Sequence, residues 1–233
     1  MIGIMSRIRM KVDIVQQEVS LQYKNKSLNY FSGARADLVE RLPLNPNANI
    51  LEIGCSAGGT GALALSKGKC ASYTGIELMP EVAKKAEAKI TKVIVADLEV
   101  NFPELKPEHF DVLIASEIFE HLRDPWRVLG QLTPLLKPGA IILASSPNIS
   151  YKGVIKALIK GEFNYSDMGI MDSTHLRWFT PESFKLLFSN SGLAVTDCWP
   201  LQPLTFVQKL IATLLPNGQK TFWRQIGIEA VKS

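Results

Sequence analysis

The segment from residue 49 to 59, Asn-Ile-Leu-Glu-Ile-Gly-Cys-Ser-Ala-Gly-Gly, constrains the fold of this chain most. Ile50, Leu51 and Ile53 form a short apolar run that predicts a strand, and the glycines after it predict a turn. A helix-compatible run follows from residue 60 to 67. A strand that leads through a glycine turn into a helix N-terminus predicts a nucleotide pocket, because glycine lets a ligand approach the backbone and the helix start offers free N–H groups.

The turn differs from the dinucleotide-binding fingerprint Gly-x-Gly-x-x-Gly. Ser56 stands where that fingerprint has its second glycine, the residue that lets a pyrophosphate press against the backbone. Glu52 adds a negative charge close to the place where phosphates would lie. Both residues argue against NAD, whereas a cationic ligand would tolerate them.

Short apolar runs alternate with helical segments between about residues 48 and 148. The runs cover residues 50–54, 72–77, 92–97, 110–116 and 140–145, and the helices include 80–89 and a segment from Asp124 to about Leu136 that ends at Lys137-Pro138-Gly139. The runs are nearly continuous rather than alternating, as expected for parallel strands covered by helices on both faces. This pattern predicts a doubly wound α/β domain. A further helix is predicted from Thr180-Pro181-Glu182 to about Ser191, with Gly192 as its end. Two later strands, 193–199 and 221–231, are joined by a predicted helix, 206–215.

Residues 149–180 interrupt the alternation. A helix is predicted over 151–160, and the following stretch to residue 172 is rich in Gly, Asn, Ser and Asp. Insertions at the carboxyl end of a strand lie beside the ligand crevice, so we expect this helical insertion after strand five to form a lid or a substrate wall. Residues 1–30 have weak helical periodicity and are predicted to be a mobile tail or a cap, which leaves residues 31–233 as one domain.

Composition excludes several classes of protein. The chain has 233 residues, 46% hydrophobic and 21% charged, with no apolar run near membrane-spanning length and no signal peptide, so we expect a cytoplasmic protein without membrane insertion. Three scattered cysteines without Cys-x-x-Cys spacing fit a reducing compartment and argue against structural zinc. A net charge of +4 permits an anionic substrate but does not indicate nucleic-acid binding. The oligomeric state stays open.

Acidic residues end successive predicted strands. Glu77 ends the second, Asp97 ends the third, and Glu117 follows the fourth. Because the carboxyl ends of parallel strands meet at one edge of a sheet, all three side chains are expected at the same crevice. The first fits a bidentate contact with ribose hydroxyls, the second can accept from an adenine amino group, and the third lies near the cationic end of the ligand. The alternative for each is a helix cap or a solvated loop residue.

In combination, these motifs resemble the class I S-adenosylmethionine-dependent methyltransferases. The resemblance covers roughly residues 30 to 231 and rests on Leu51-Glu-Ile-Gly-Cys-Ser-Ala-Gly58, Gly75-Ile-Glu77, Ala96-Asp-Leu98, Phe110-Asp-Val112, Glu120-His-Leu-Arg-Asp-Pro125 and Leu136-Lys-Pro-Gly139. It implies a Rossmann-like fold with a mostly parallel seven-stranded sheet and an antiparallel last strand. S-adenosylmethionine would be the methyl donor and S-adenosylhomocysteine the product. Ser56 departs from the family's usual Glu-x-Gly-x-Gly-x-Gly, although its hydroxyl could help to bind the methionine carboxylate.

The resemblance also implies which residues bind the cofactor. The glycine turn would surround the methionine part, Glu77 would bind ribose, and Asp97 with Leu98 would bind adenine. Ser116 and Glu117 would flank the methionine or its amino group. An upstream Tyr-x-Ser-x-x-Arg element suggests that Tyr30 or Arg35 reaches the cofactor carboxylate, the alternative being a packing tyrosine and a surface arginine. The full set is Tyr30, Arg35, Glu52, Gly54, Cys55, Ser56, Gly58, Glu77, Leu78, Asp97, Leu98, Ser116 and Glu117.

Two histidines are candidates for catalysis. A hydroxyl is a poor nucleophile unless its proton is removed, and both His121, just past the fourth strand, and His175, in the insertion, could serve as the base. The alternatives are a packing or capping role for His121 and an internal hydrogen-bond network for His175. His109 precedes a strand at the far end of the sheet and is excluded. No carboxylate–histidine cluster has convincing spacing for a metal, so no metal is expected.

The downstream sequence narrows the resemblance further. Residues 146–149, 169–180 and 192–193 resemble a bacterial branch that often accompanies glycosyltransferases and polysaccharide assembly. This predicts O-methylation of a small-molecule acceptor, a sugar or a glycan-linked hydroxyl. The alternatives are N- or C-methylation, as in quinone-biosynthesis relatives with a similar Glu-His-Leu motif, and a cofactor-binding partner protein without turnover.

Overall fold

A seven-stranded sheet in the order β3-β2-β1-β4-β5-β7-β6 forms the centre of the protein. The computed structural model describes residues 33–212 and 218–233, so the predicted N-terminal tail lies outside the described residues. Strands β1 to β5 run parallel, and β7 is antiparallel to both β5 and β6, which confirms the predicted Rossmann-like α/β fold. The strands are β1 (Asn49–Ile53), β2 (Ser72–Glu77), β3 (Lys92–Val95), β4 (Phe110–Ser116), β5 (Leu136–Pro147), β6 (Leu193–Pro200) and β7 (Gln225–Lys232).

Helices cover both faces of the sheet, as the continuous apolar strands predict. They are α1 (Ala36–Arg41), α2 (Gly59–Ser66), α3 (Pro80–Ala86), α4 (Pro125–Leu132), α5 (Lys152–Ile159), α6 (Pro181–Ser189) and α7 (Phe206–Ala212). One buried cluster joins the sheet to α4 and α6, with Phe184 and Phe188 of α6 packed against Phe119. A second cluster on the other face includes residues of α1, α2 and α3.

Local capping fixes two helix starts where the sequence places them. Asp124 accepts a hydrogen bond from the backbone N–H of Arg127 at 3.0 Å and caps α4. Thr180 and Ser183 form a reciprocal capping box at the start of α6. Such caps satisfy N–H groups that have no partner within the helix, so short polar residues before an apolar run locate a helix start well.

The end of α4 differs from the prediction. The helix ends at Leu132 rather than near residue 136, and a 3₁₀ turn leads into β5, which begins at Leu136. The sheet register shifts between the pairs Phe110–Leu136 and Val112–Ile141, and Gly139 adopts a φ of 78° there. The Lys137-Pro138-Gly139 segment is therefore an irregularity within a long strand and not the end of a helix, because Leu136 is fully buried beside Phe110.

The strand order places the carboxyl ends of β1 and β4 next to each other. The connections from these strands pass to opposite faces of the sheet, and this reversal opens a crevice between them. Residues 149–180 follow β5 and contain α5. A bridge between Asn148 and Phe179 brings the two ends of this insertion together. In the part of the chain that the structure describes, no helix has the length and apolar character needed to cross a membrane.

A buried carboxyl group lies inside the central strand. Glu52 of β1 is 3% exposed, and the Tyr73 hydroxyl donates to its Oε2 at 2.9 Å. Burial raises the pKa of Glu52 to about 7, against the opposing effect of hydrogen bonds from Tyr73 and Thr60. Glu52 therefore holds its proton in the folded chain at a pH at which it would lose it in the unfolded chain.

We expect Gly61→Ala to destabilise the fold. A Cβ on Gly61 would lie 2.6 Å from the ring of Tyr73, which is fully buried and has no room to shift. The overlap should cost about 1–3 kcal/mol of unfolding free energy. Gly130→Ala in α4 is the matched control, because nothing lies within 4 Å of a Cβ at that position. Alanine has the higher helix propensity, so this variant should be more stable than the wild type by at most about 1 kcal/mol. Denaturant unfolding measures both variants. An unfolding free energy of Gly61→Ala equal to that of the wild type would contradict the close packing of Gly61 against Tyr73.

We expect Glu52→Gln to change how stability depends on pH. The folded pKa of about 7 exceeds the unfolded value of 4.5, so the contribution of Glu52 is full below pH 4.5 and is lost as pH rises through 7. The unfolding free energy of Glu52→Gln lacks this decrease. Relative to the wild type it should therefore rise by up to about 3 kcal/mol between pH 4.5 and pH 7. Denaturant unfolding at several pH values measures it, with exposed Glu40→Gln as control. Parallel curves for wild type and Glu52→Gln would show that burial does not shift this group.

Candidate functional site

A cleft of about 940 Å³ lies at the carboxyl edge of the sheet, where the strand order reverses. Its walls come from the turn after β1, the ends of β2, β3 and β4, and the insertion. Thirteen of the fifteen predicted cofactor-binding and catalytic residues lie in these walls: Arg35, Glu52, Gly54, Cys55, Ser56, Glu77, Leu78, Asp97, Leu98, Ser116, Glu117, His121 and His175. Tyr30 lies outside the described residues.

The glycine turn is held against the segment after β4. Gly54 has a φ of 68°, and a Cβ there would lie 2.0 Å from the Cδ1 of Ile118. Only glycine suits this position, because it lacks the side chain that both the backbone and Ile118 exclude. Ser56 also adopts a positive φ, 49°, which is uncommon for a residue with a side chain. The turn thus exposes backbone at the floor of the cleft.

Glu77 is fixed by the turn that it faces. Its Oε2 accepts from the backbone N–H of Ser56 at 2.9 Å, and its Oε1 accepts from that of Met79 at 3.0 Å. Burial raises the pKa of this carboxyl group, although these hydrogen bonds oppose the shift. A carboxylate has about four acceptor positions, so two remain for hydroxyl groups of a ligand.

Gly58 and Cys55 have structural roles that the sequence did not predict. Gly58 is absent from the cleft wall. It precedes α2 with a φ of 75°, and a Cβ there would lie 3.0 Å from Ala86 of α3. Cys55 reaches the wall, but its Sγ packs where a Cβ on Gly75 would lie, and burial raises the pKa of its thiol. The structure therefore lends no support to a cofactor contact by Gly58, whereas Cys55 remains part of the cleft wall.

The end of β3 forms the far wall of the cleft. Asp97 follows this strand, and its Oδ1 accepts from the backbone N–H of Glu99 at 2.9 Å. Leu98 is 7% exposed and supplies an apolar surface beside it. Asp97 thus serves partly as a turn residue, the alternative that the sequence left open, while it also lines the cleft.

Arg35 places a positive charge against this acidic wall. Its Nη1 donates to the hydroxyl groups of Ser116 and Ser145, the latter at 2.9 Å, and its Nη2 pairs with Asp37 at 2.7 Å. Burial, the largest single effect, opposes the charged form, but Asp37, Glu117 and Glu52 together exceed it, so the pKa of Arg35 is raised. Sequence reasoning missed Ser145, although a polar residue at the end of an apolar strand signals such a position.

Glu117 adopts a strained backbone beside Arg35. Its φ is 54°, outside the usual range for a residue with a side chain. Its Oε2 accepts from the side-chain amide of Gln225 at 3.0 Å, and its Oε1 is buried without a hydrogen-bond partner among the described residues. Strain of this kind clusters at functional sites.

Glu120, His121 and His175 meet in the cleft wall next to Glu117. One ligand-type atom of each lies within 4.8 Å of the other two, and the two imidazole rings are 4.8 Å apart. The backbone N–H groups of Leu176 and Arg177 donate to the carbonyl oxygen of Glu120 at 2.8 and 3.0 Å, which holds the insertion against this turn. The expectation that no metal binds was drawn from residue spacing and did not consider Glu120. The two histidines are 54 residues apart in the sequence, so spacing alone does not indicate that they meet.

Hydrogen bonds set the tautomer of both rings. Thr174 donates its hydroxyl proton to Asp172, so its Oγ1 and its carbonyl oxygen both accept from His121 Nδ1, each at 3.2 Å. His175 Nδ1 donates to the carbonyl oxygen of Ile170 at 3.0 Å. A neutral ring that donates from Nδ1 carries its lone pair on Nε2. An internal hydrogen-bond network of this kind is the alternative role expected for His175, and it also leaves the Nε2 lone pair of a neutral ring able to accept a proton.

Glu120 is the most deeply buried acid of the cleft. It is 1% exposed, and neither carboxylate oxygen has a hydrogen-bond partner among the described residues. Burial and the charge on Glu117 raise the pKa of Glu120 well above its usual value. A buried carboxylate without partners is costly, so this group requires either a proton or a cation.

Comparison with known proteins assigns the family. Residues 28–197 match the family described as "Methyltransferase domain". The chain is 23% identical over 189 residues to a ubiquinone biosynthesis O-methyltransferase of Coxiella burnetii, covering 79% of this chain and 80% of that protein.

Solved structures share the fold. A putative methyltransferase of Haloferax volcanii, solved in complex with the activator Trm112, has a TM-score of 0.63 at 15% identity and covers 87% of this chain and 90% of its own. An S-adenosylmethionine-dependent methyltransferase of Archaeoglobus fulgidus has a TM-score of 0.59 at 20% identity, with 87% and 96% covered.

The residues of the cleft fit the cofactor of this family. Glu77 has free acceptor positions for a pair of hydroxyl groups, Arg35 offers a cation for a carboxylate, and the exposed backbone at Gly54 leaves room for a ligand. A sulfonium suits a wall that otherwise carries buried acids. The chain belongs to the methyltransferase-domain family and is an S-adenosylmethionine-dependent methyltransferase.

Proposed function

We propose that this protein transfers the methyl group of S-adenosylmethionine to a hydroxyl oxygen of a small-molecule acceptor. The observation that carries the proposal is the pair of histidines, His121 and His175, which line the cleft beside Glu120 and whose Nδ1 atoms face carbonyl oxygens, so that a neutral ring carries its lone pair on Nε2. A hydroxyl acceptor needs such a group, since it attacks well only as its proton is removed.

The order of the strands gives the cofactor a direction. We assign Asp97 and Leu98 at the end of β3 to adenine, and Glu77 at the end of β2 to the ribose hydroxyls. The turn at Gly54 and Ser56, with Arg35, would hold the methionine part, and Ser116 and Glu117 would flank its amino group. Because β3, β2, β1 and β4 are consecutive in the sheet, the methyl group then points toward the region past β4, where His121 lies.

The insertion is proposed to form the wall of the acceptor site. Residues 169–176 contribute Gly169, Ile170, Asp172, Thr174, His175 and Leu176 to the cleft. The same insertion also carries Phe163, Tyr165 and Trp178, which form an aromatic group with ring centroids 5.6 to 6.3 Å apart. An insertion that offers both aromatic rings and polar groups suits a sugar or glycan-linked hydroxyl, which is the acceptor that we favour. We propose that the enzyme is cytoplasmic.

A phenolic hydroxyl is the second candidate acceptor. The supporting observation is that relatives at 23% and 27% identity, from Coxiella burnetii and Xanthomonas campestris, carry the name ubiquinone biosynthesis O-methyltransferase. Both candidates are hydroxyl groups, so the same cluster would serve either. A nitrogen acceptor that is neutral at pH 7 would need little base catalysis.

We expect Asp97→Ala to weaken cofactor binding strongly. The variant loses the proposed acceptor for the adenine amino group, so the thermal stabilisation by S-adenosylhomocysteine should fall by most of its wild-type value. Asp97→Asn keeps an oxygen for the Glu99 N–H and separates loss of the turn from loss of the charge. Glu81→Gln, an exposed change on nearby α3, is the control. An unchanged shift in both Asp97 variants would overturn the adenine assignment, and stabilisation by NADH would contradict the cofactor.

We expect methyl transfer to give a methoxy product and to depend on the two histidines. Wild-type protein with ¹³C-methyl-labelled cofactor is incubated with fractionated extracts of the source cell, and NMR separates methoxy, N-methyl and C-methyl products. The double variant His121→Ala, His175→Ala should lose about 10²-fold or more of the rate, the usual worth of a positioned base, while it still binds S-adenosylhomocysteine. His109→Ala is the matched control. An N- or C-methyl product, or full activity in the double variant, would refute O-methylation by this cluster.

A further inference from the structure

We propose that Glu120, His121 and His175 bind a divalent transition-metal ion at the acceptor end of the cleft. The inference rests on the proposed function only for the role of the metal, since the binding itself does not require methyl transfer. It revises the expectation, drawn from residue spacing, that the protein uses no metal.

The three donors are already close to the arrangement that such an ion needs. Their ligand atoms lie within 4.8 Å of one another. Two ligands at 2.0–2.1 Å from a tetrahedral ion are about 3.3 Å apart, so rotations of the side chains close the remaining gap. Glu120 and His121 belong to one tight turn and His175 to the insertion, which is hydrogen-bonded to the same turn.

The surrounding hydrogen bonds prepare both rings as ligands. His121 and His175 each use Nδ1 to donate to a backbone carbonyl oxygen, of Thr174 and Ile170 respectively. Metal-binding histidines characteristically donate their second ring N–H in this way, which fixes the tautomer and the orientation of the ring. Asp172 extends the arrangement by accepting from both the hydroxyl and the backbone N–H of Thr174.

Glu120 supplies the independent observation that points to a cation. Its carboxylate is 1% exposed, and neither oxygen makes a hydrogen bond of normal geometry among the described residues. Burial raises the pKa of Glu120 and outweighs the Ser146 hydroxyl, which lies close enough to lower it. Protein interiors rarely leave two acceptor atoms of one group unsatisfied, because each costs free energy without compensation. A metal ion that takes one or both oxygens satisfies them.

The ligand set selects the kind of metal. Two imidazole rings and one carboxylate suit zinc, cobalt, iron or manganese in the divalent state, whereas magnesium and calcium prefer oxygen ligands alone. Three protein ligands also leave coordination positions open, as in catalytic zinc sites. The cleft lies on that side, since Glu120, His121 and His175 all contribute to its wall.

The bound ion would activate the acceptor. A hydroxyl that coordinates to it loses its proton more readily, as metal-bound water does. On transfer the O–H proton passes to water, the new O–C bond forms, and the S–CH₃ bond breaks with its electron pair left on sulfur. With the ion in place the two rings bind the metal, and the metal takes over the part in activating the hydroxyl that the rings would otherwise play as bases.

The test is a titration with Co²⁺, followed by visible absorption, of full-length protein without a histidine tag and after treatment with a chelator. We expect one ion per chain, and thermal stabilisation by Co²⁺ or Zn²⁺ at concentrations where Mg²⁺ gives none. Glu120→Gln and His175→Gln should weaken binding by at least about 100-fold, the upper range for loss of an outer partner. His109→Gln is the matched control and should bind as wild type does.

X-ray absorption of the wild-type cobalt complex removes the dependence on variants that fold poorly. Two imidazole ligands in its first shell support the site, and their absence overturns it. Absence of saturable binding, or equal binding by wild type and His175→Gln, overturns it as well. A protein that binds cobalt through these ligands but gives no methoxy product counts against the proposed function alone. Full methyl transfer by a metal-free protein that binds no cobalt counts against this inference alone.

Discussion

The reversal of strand order around β1 is the constraint on which the structure depends. β1 pairs with β2 on one side and with β4 on the other, so the chain leaves these neighbouring strands toward opposite faces. Residues that follow β1, β2, β3 and β4 all line the cleft at that edge. The proposed cofactor contacts all depend on this feature, because it decides which residues share a wall of the cleft.

Charge then decides what the crevice can accept. Glu52, Glu77 and Glu120 are each no more than 6% exposed, and Arg35 is the cation that hydrogen-bonds into the same wall. Burial raises the pKa of all three carboxyl groups because it disfavours their charged form. Their burial therefore lowers the stability of the folded chain. A cationic ligand or ion relieves that cost, whereas a pyrophosphate would add to it.

The sequence predicted what local rules govern and missed what the tertiary fold assembles. Continuous apolar runs located β1 to β5, and two later segments located β6 and β7, although β7 begins at Gln225 and not near residue 221 because a 3₁₀ turn precedes it. Asp124 and Thr180 located two helix starts. The rule that strand-end carboxylates face the crevice found Glu77 and Asp97, but Glu120 lies in a turn beyond a strand and escaped it. Gly58 was assigned to the cofactor from its motif, although its neighbour is Ala86 of a packed helix. The pairing of His121 with His175 depends on how the insertion folds back, which no spacing rule contains.

The closure of the insertion has an evolutionary consequence. Its two ends meet at the Asn148–Phe179 bridge, and the N–H of Ile149 donates to the carbonyl oxygen of Phe179 at 2.9 Å. The segment between these residues is therefore a loop whose ends are joined at the sheet, and it also contacts the turn after β4 through the N–H groups of Leu176 and Arg177. Recombination at Asn148 and Phe179 would therefore exchange the segment that forms the proposed wall of the acceptor site. The incoming segment would have to supply a partner for Glu120.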